Sequence, residues 1–190
     1  MKIILASNSP RRKELLKGLD LPFEVRVMED VSEDYPSDIR VEEIAEYIAR
    51  EKSEAYEDIL NADEMVITAD TIVVLGKNVL GKPVDRDDAI NMLRRLSGKT
   101  HKVITGVCFT TIDRKHSFSV TTSVTFKTLT DDEITYYVDT YQPFDKAGAY
   151  GIQEWIGYVG VTAIEGSYFN VVGFPVQRIY SELKKFDKTL

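Results

Sequence analysis

The chain has 190 residues, of which 43% are hydrophobic and 29% charged, and its formal net charge is −7. This length permits one sizeable core and is short for two independent domains, so we expect a single domain over residues 1–190. The negative charge argues against a general nucleic-acid binder, which needs a basic face. A single cysteine, Cys108, excludes internal disulfides and multi-cysteine metal sites.

Membrane and export signals are missing from the sequence. No apolar run approaches the roughly 18 residues of a membrane-spanning helix, and the N-terminal stretch becomes polar too early for a signal peptide. We therefore expect a cytoplasmic protein that binds neither membranes nor nucleic acid.

The first sixteen residues, MKIILASNSPRRKELL, predict a strand over 3–6, a polar turn and a helix. Ser9 is suited to the N-cap and Pro10 to the first helical position. Arg11 and Arg12 then fall in the first turn, where the helix dipole disfavours each cation by roughly 0.3 to 1 kcal/mol. This pattern indicates a phosphate opposite the arginines, and the alternative is ordinary solvated surface charge.

The rest of the chain alternates predicted strands and helices. The first helix ends near Gly18, and an acidic loop at 29–34, a glycine-rich aromatic loop at 141–153 and a turn at 166–170 separate later elements. Because the two long adjacent strands at 100–109 and 117–126 are antiparallel candidates, we expect an α/β fold with a mixed sheet. The other predicted elements are strands over 23–28, 64–75, 79–80 and 158–164 and helices over 41–60 and 171–186. Two more helices are predicted, one capped by Asp85 and ending near residue 96 and one capped by Thr130.

Asp70 is the most informative single residue. It lies within EMVITADTIVVL, a run over 64–75 that is typical of a central strand covered on both faces. A carboxylate in such a strand is costly unless it is paired with a cation or binds a metal. The sequence therefore predicts a partner for Asp70.

Cationic and acidic side chains from separate segments, together with one glutamine, form a candidate set for phosphate chemistry. Arginine and lysine side chains bind phosphate oxygens, and Asp70 with Glu33 can supply oxygen ligands to Mg²⁺. The alternatives are that Lys52 lies on a solvated helix face and that Glu33 is plain surface. His101 and His116 have no triad partners in sequence and are predicted to be structural. The set comprises Arg11, Arg12, Glu33, Lys52, Asp70, Lys82, Lys146 and Gln153.

Six sequence blocks resemble the signatures of the Maf family of nucleoside triphosphate pyrophosphatases. They lie in the family order over almost the whole chain. The blocks are SNSPRRKELL (7–16), TADTIV (68–73), GKP (81–83), LRRLSGKTHKVITGV (93–107), DKAGAYGIQ (145–153) and GSYFNVVGFPV (166–176).

The resemblance implies a fold like that of the inosine triphosphate pyrophosphatases, with an elongated mixed sheet, flanking helices and two lobes around a central cleft. It implies hydrolysis of a nucleoside triphosphate to the monophosphate and pyrophosphate with Mg²⁺ or Mn²⁺, and a possible homodimer. The implied catalytic residues are Glu33, Lys52, Asp70 and Lys82, with Asp70 as proton acceptor and both carboxylates as metal ligands. The implied substrate-binding residues are Ser7, Arg11, Arg12, Thr71 and Gln153.

The resemblance also implies which nucleotide bases are preferred. Arg11, Thr71 and Gln153 match the branch that prefers dTTP and UTP, whereas the 7-methyl-GTP branch has SPYR in the first block and Gln after the aspartate. Glu154 and Trp155 depart from the small residues usual in the family. A non-catalytic nucleotide-binding regulator of cell division, and an enzyme for purine or modified triphosphates, are the alternatives.

Overall fold

The computed structural model describes residues 1–28 and 31–186. Glu29 and Asp30, the first residues of the predicted acidic loop, lie outside this part. The described strands are β1 (Lys2–Leu5), β2 (Phe23–Val25), β3 (Glu64–Leu75), β4 (Asn78–Leu80), β5 (Thr100–Thr110), β6 (Lys115–Phe126) and β7 (Val161–Glu165). The described α-helices are α1 (Pro10–Lys17), α2 (Ile44–Glu54), α3 (Arg86–Leu96), α4 (Asp131–Tyr141), α5 (Trp155–Gly160), α6 (Tyr168–Val172) and α7 (Val176–Phe186). None of these helices is long and apolar enough to cross a membrane.

The strands form one sheet in the order β2-β1-β3-β5-β6-β7, with β4 paired to β3. Strand β1 is parallel to both β2 and β3, whereas β4 is antiparallel to β3 and β7 is antiparallel to β6. The predicted mixed α/β sheet with flanking helices is therefore confirmed.

The chain divides into two compact units. The first unit comprises Met1–Asp70, Thr105–Val120 and Gly173–Leu190, and the second comprises Thr71–Ile104 and Thr121–Val172. Each has its own apolar core. In the first unit, side chains from β1, β3, β5, α1 and α7 pack together, and in the second unit side chains from α3 and α4 pack against the sheet. Three of the four division points lie inside β3, β5 and β6, and the fourth directly follows α6.

Local signals in the sequence placed several elements correctly. Ser9 caps α1 by accepting a hydrogen bond from the Arg12 backbone N–H, and Pro10 is the first helical residue. Asp85 caps α3 in the same way, and Thr130 forms a capping box with α4. Strand β3 has the predicted bounds.

The helix predicted over 41–60 and the strand predicted over 23–28 are both wrong in length. The helix is a short 3₁₀ turn at Val41–Glu43, then α2, then a second 3₁₀ turn at Glu57–Ile59. Tyr56 explains the break, because its buried hydroxyl donates to the Arg26 carbonyl (3.0 Å) and accepts from the Met28 N–H (2.9 Å). These contacts lie just after β2, which ends at Val25.

Predictions near the C-terminus also need correction. The strand expected over 158–164 begins only at Val161, because the residues before it form α5. The predicted turn at 166–170 contains the start of α6. The helix expected over 171–186 is divided into α6 and α7 by Gly173, whose φ is 115°, and by Pro175, which lacks an N–H.

His101 is buried beside two aromatic rings, in agreement with its predicted structural role. Its ring lies 5.2 Å from that of Phe126 and 5.4 Å from that of Tyr150, and its Nε2 is 2.7 Å from the Tyr150 hydroxyl. Burial lowers the pKa of His101 to about 4. The imidazole therefore stays neutral at pH values where an unfolded chain would already protonate it.

We expect His101 to make the protein acid-sensitive. As the pH falls from about 6.5 to 4, His101 takes up a proton in the unfolded state but stays neutral in the folded state. This difference lowers the free energy of unfolding by roughly 3 kcal/mol. His101→Gln should flatten the pH dependence of urea unfolding in this window, although its stability at pH 8 is lower. The partly exposed His116 supplies the control, His116→Gln. An unchanged slope in His101→Gln would contradict the assignment.

Helix α2 lies directly on β5 at Gly106. A Cβ at this position would lie 2.2 Å from the backbone carbonyl carbon and oxygen of Ala45. Such a distance is far inside van der Waals contact, so only glycine permits the helix to approach this closely.

Gly106→Ala should therefore destabilise the protein by about 2 to 3 kcal/mol, measured by denaturant unfolding, because α2 has to move away from the sheet. Gly81→Ala is the matched control, since a Cβ there meets no atom within 4 Å. A Gly106→Ala protein as stable as the Gly81→Ala protein would exclude this close packing.

Candidate functional site

Lys52 and Asp70 form the centre of the candidate site in the first unit. The Lys52 ammonium on α2 lies 2.8 Å from Oδ1 of Asp70 on β3 and 2.7 Å from Oε1 of Glu33. The side chains of Lys52 and Asp70 are only 17% and 12% exposed, whereas Glu33 is half exposed. The sequence predicted that Asp70 has a partner, and the structure identifies Lys52 as one, so the alternative of a solvated helix face does not hold for Lys52.

The position of Lys52 follows from the packing of α2. The buried Thr68 hydroxyl on β3 donates to the Ala49 carbonyl at 2.6 Å, one turn before Lys52. Ser53, fully buried, donates to the Arg50 carbonyl at 2.7 Å. The Thr68 contact and the approach at Gly106 fix the helix against the sheet, so the ammonium reaches the strand in a defined place.

The predicted serine and arginine motif surrounds the start of α1. Ser7 is buried and its Oγ accepts from the Ser9 N–H at 3.2 Å. Arg12 donates through Nε to the Gly173 carbonyl (3.0 Å) and through Nη1 to the Ala69 carbonyl (2.8 Å). Burial lowers the pKa of Arg12, and the negative charge of Asp70 opposes that shift. Arg12 thus holds the backbone immediately before Asp70. Arg11 lies beside it in the first turn of α1, also partly buried.

The remaining predicted residues belong to the second unit. Thr71 is partly exposed on β3, and Lys82 is exposed just after β4. The Gly148 N–H donates to the Gly81 carbonyl at 2.9 Å, which fixes the loop against the residue before Lys82. Gln153 is partly buried, and its Oε1 has no hydrogen-bond partner among the residues that the structure describes.

Lys146, one of the predicted cations, is engaged within the second unit. Its ammonium lies 2.8 Å from Oδ1 of Asp145 and 3.1 Å from Oε1 of Glu154. The sequence marks Glu154 only as a departure from the family. It gave no sign that the Tyr137 hydroxyl donates to Oε2 of Glu154, because no local pattern joins residues 17 positions apart.

The carboxylates of the first unit fit one kind of metal site. Within residues 1–28 and 31–186, no three His, Cys, Asp or Glu side chains are grouped so that they could hold a metal ion. Glu33 and Asp70 nevertheless present their oxygens around one point, the Lys52 ammonium. Mg²⁺ is commonly bound by one or two carboxylates together with water and phosphate oxygens. This pair therefore fits a cation that is shared with a phosphate ligand.

A double-mutant cycle tests the coupling of Lys52 and Asp70. Because both side chains are largely buried, removing either one takes from the other a close partner of opposite charge. We expect Lys52→Ala and Asp70→Ala to be non-additive in denaturant unfolding, with a coupling of about 1 to 3 kcal/mol. The exposed pair Arg40 and Glu43 in the same unit is the control, and its coupling should stay below about 1 kcal/mol. Equal coupling in both pairs would contradict the buried position of Asp70.

Comparisons with known proteins agree with this architecture. The Staphylococcus aureus Ham1 protein is similar in fold, with a TM-score of 0.57 and 18% identity over 98% of this chain and 100% of that one. A protein of Phocaeicola vulgatus named dTTP/UTP pyrophosphatase is 60% identical over 97% of this chain and 95% of its own length. The protein of the same name from Flavobacterium psychrophilum is 52% identical over 94% and 91% of the two chains. The family model for Maf-like proteins matches residues 2–186, and the chain belongs to this family.

Proposed function

We propose that the chain hydrolyses nucleoside triphosphates, dTTP and UTP in particular, to the monophosphate and pyrophosphate. The observation that carries this proposal is the carboxylate of Asp70, which lies inside an apolar strand and is held by Lys52. The names of the Phocaeicola and Flavobacterium relatives support the substrate class. A reaction that releases pyrophosphate needs positive charge to receive the leaving group and an acceptor for the proton of water.

Asp70 is the proposed proton acceptor. Water attacks the α-phosphorus, the bond from that phosphorus to the bridging oxygen breaks, and pyrophosphate leaves with the electron pair. The water proton passes to the Asp70 carboxylate, which Lys52 orients through Oδ1. Ser7 and Arg12 have a binding role toward the phosphates, next to the backbone that carries Asp70.

Positive side chains have the second role in the proposal. Lys52 and Arg12 in the first unit, and Lys82 in the second, neutralise negative charge on the triphosphate. Glu33 gives the ammonium of Lys52 a second carboxylate contact and helps to orient it. Asp70 and Glu33 would hold Mg²⁺ or Mn²⁺, whose charge would further offset that of the phosphate oxygens.

Base selection is assigned to Arg11, Thr71 and Gln153. The threonine hydroxyl and the glutamine amide each contain a donor and an acceptor, as the edge of a pyrimidine requires. A regulator that binds nucleotides without hydrolysing them is not favoured. A carboxylate that faces phosphates would weaken binding by charge repulsion, and a protein that only binds has no use for a proton acceptor.

Pyrophosphate release should be measured over a panel of dTTP, UTP, CTP, 7-methyl-GTP and ITP with Mg²⁺ or Mn²⁺. We expect dTTP and UTP to have the highest kcat/KM. Faster release from ITP or 7-methyl-GTP would contradict the proposed preference for pyrimidine nucleotides. No release from any nucleotide would favour the alternative, a regulator that binds nucleotides without hydrolysing them.

Asp70→Asn should lower kcat by about 100-fold to 10,000-fold, because the amide cannot accept the proton. Nucleotide binding, measured by calorimetry, should persist. Asp63→Asn is the control, because Asp63 is an exposed carboxylate just before the same strand. Turnover of Asp70→Asn at the wild-type rate would remove Asp70 from this role.

A further inference from the structure

Two residues of the second unit, Lys146 and Tyr137, hold the carboxylate of Glu154 at both of its oxygens. Oε1 of Glu154 lies 3.1 Å from the Lys146 ammonium, and Oε2 accepts a hydrogen bond from the Tyr137 hydroxyl. The same hydroxyl accepts the Gly151 N–H at 2.9 Å. Glu154 is thereby joined to the backbone of the loop that carries Gln153.

This network is shielded from solvent. Tyr137 is fully buried, the Lys146 side chain is 10% exposed and the Glu154 side chain is 19% exposed. Burial, reinforced by the neighbouring Glu154 carboxylate, raises the pKa of Tyr137. The phenol therefore keeps its proton at neutral pH and remains a donor to Oε2. Low exposure also strengthens each electrostatic contact in the group.

Gly151 brings Glu154 and Gln153 together. The Glu154 N–H donates to the Gly151 carbonyl at 3.0 Å and closes a tight turn. A Cβ on Gly151 would lie 2.9 Å from Nε2 of Gln153 and 3.0 Å from Oε2 of Glu154. The amide nitrogen and the carboxylate thus border the same space above the glycine.

The carboxylate favours one orientation of the Gln153 amide. With Nε2 toward Glu154, a partly positive NH₂ group faces a negative charge, whereas the flipped amide would place its oxygen there and be repelled. The unflipped amide leaves Oε1 buried and without a hydrogen-bond partner among the described residues. A buried acceptor of this kind is stabilised when a ligand supplies a donor.

The pyrimidine bases differ at the atom that such an acceptor would meet. Thymine and uracil have an N3–H donor, whereas N3 of cytosine is an acceptor. A glutamine that flips freely can pair with either form of N3, whereas one held with Oε1 toward N3 favours the N3–H of thymine or uracil.

We propose that Glu154, held by Tyr137 and Lys146, is a positioning residue that fixes the Gln153 amide and so sets discrimination between thymine or uracil and cytosine. This inference rests on the proposed function, in which Gln153 binds the base. Glu154 itself does not contact the nucleotide. Its effect is on the ratio of two substrates and not on the rate of the common chemical step.

The test compares kcat/KM for pyrophosphate release from dTTP and from dCTP. Glu154→Gln keeps the size of the side chain and removes its charge, so we expect the dTTP preference to fall by about tenfold, the effect of one hydrogen bond. Tyr137→Phe keeps the charge but frees Oε2, and the preference should fall in the same direction by a smaller factor. Tyr136→Phe is the control, because Tyr136 is the half-exposed neighbour on α4, and its ratio should equal that of the wild type.

A purely structural role would lower both rates together and leave the ratio unchanged. An unchanged ratio in Glu154→Gln, whatever its overall rate, overturns the inference, and Tyr137→Phe decides in the same way if Glu154→Gln does not fold. Wild-type protein that hydrolyses dTTP and dCTP equally also overturns it and leaves pyrophosphatase activity standing. Wild-type protein that releases no pyrophosphate overturns the proposed function, and the inference with it.

Discussion

The contact between Lys52 and Asp70 is the constraint on which the first unit depends. A carboxylate that is 12% exposed within an apolar strand is tolerated because an ammonium lies 2.8 Å away. That ammonium is in place only because α2 packs closely on the sheet, at Gly106 and through Thr68. Stability and chemistry therefore depend on the same packing, and a change that moves the helix would also release the carboxylate.

Arg12 is a second charge of low exposure in the first unit, and groups of the protein itself partly compensate it. The sequence argument was that cations in the first turn of a helix require something negative opposite them. Part of that requirement is met inside the protein, by the carbonyls of Ala69 and Gly173 and by the charge of Asp70. The guanidinium is consequently fixed before any ligand binds, which reduces the ordering that a phosphate would have to bring about.

The sequence predicted what local chemistry decides. Ser9, Asp85 and Thr130 marked helix starts correctly, because a cap is formed within three residues, and β3 was evident from its unbroken apolar run. Tyr56 ends a helix through contacts with residues some thirty positions earlier, and no local pattern contains that information. The need for a partner of Asp70 was likewise predictable, but its identity as Lys52 required the packing of α2. The proposed roles of the site residues came from the family resemblance.

Asp70 and Glu154 are both carboxylates of low exposure, and their hydrogen bonds explain why we assign them different roles. Glu154 is engaged at both oxygens, by Lys146 and by a phenol whose raised pKa keeps it a donor, so accepting a proton would break an existing contact. Lys52 holds Asp70 through Oδ1, and Arg12 donates to the carbonyl of the residue before it. A carboxylate among the cations that we propose to bind the triphosphate is suited to accept the proton of the attacking water, whereas Glu154 lies against the turn that carries Gln153 and is suited to position its amide. The neighbours of each carboxylate, and not its burial alone, separate the proposed catalytic role from the positioning one.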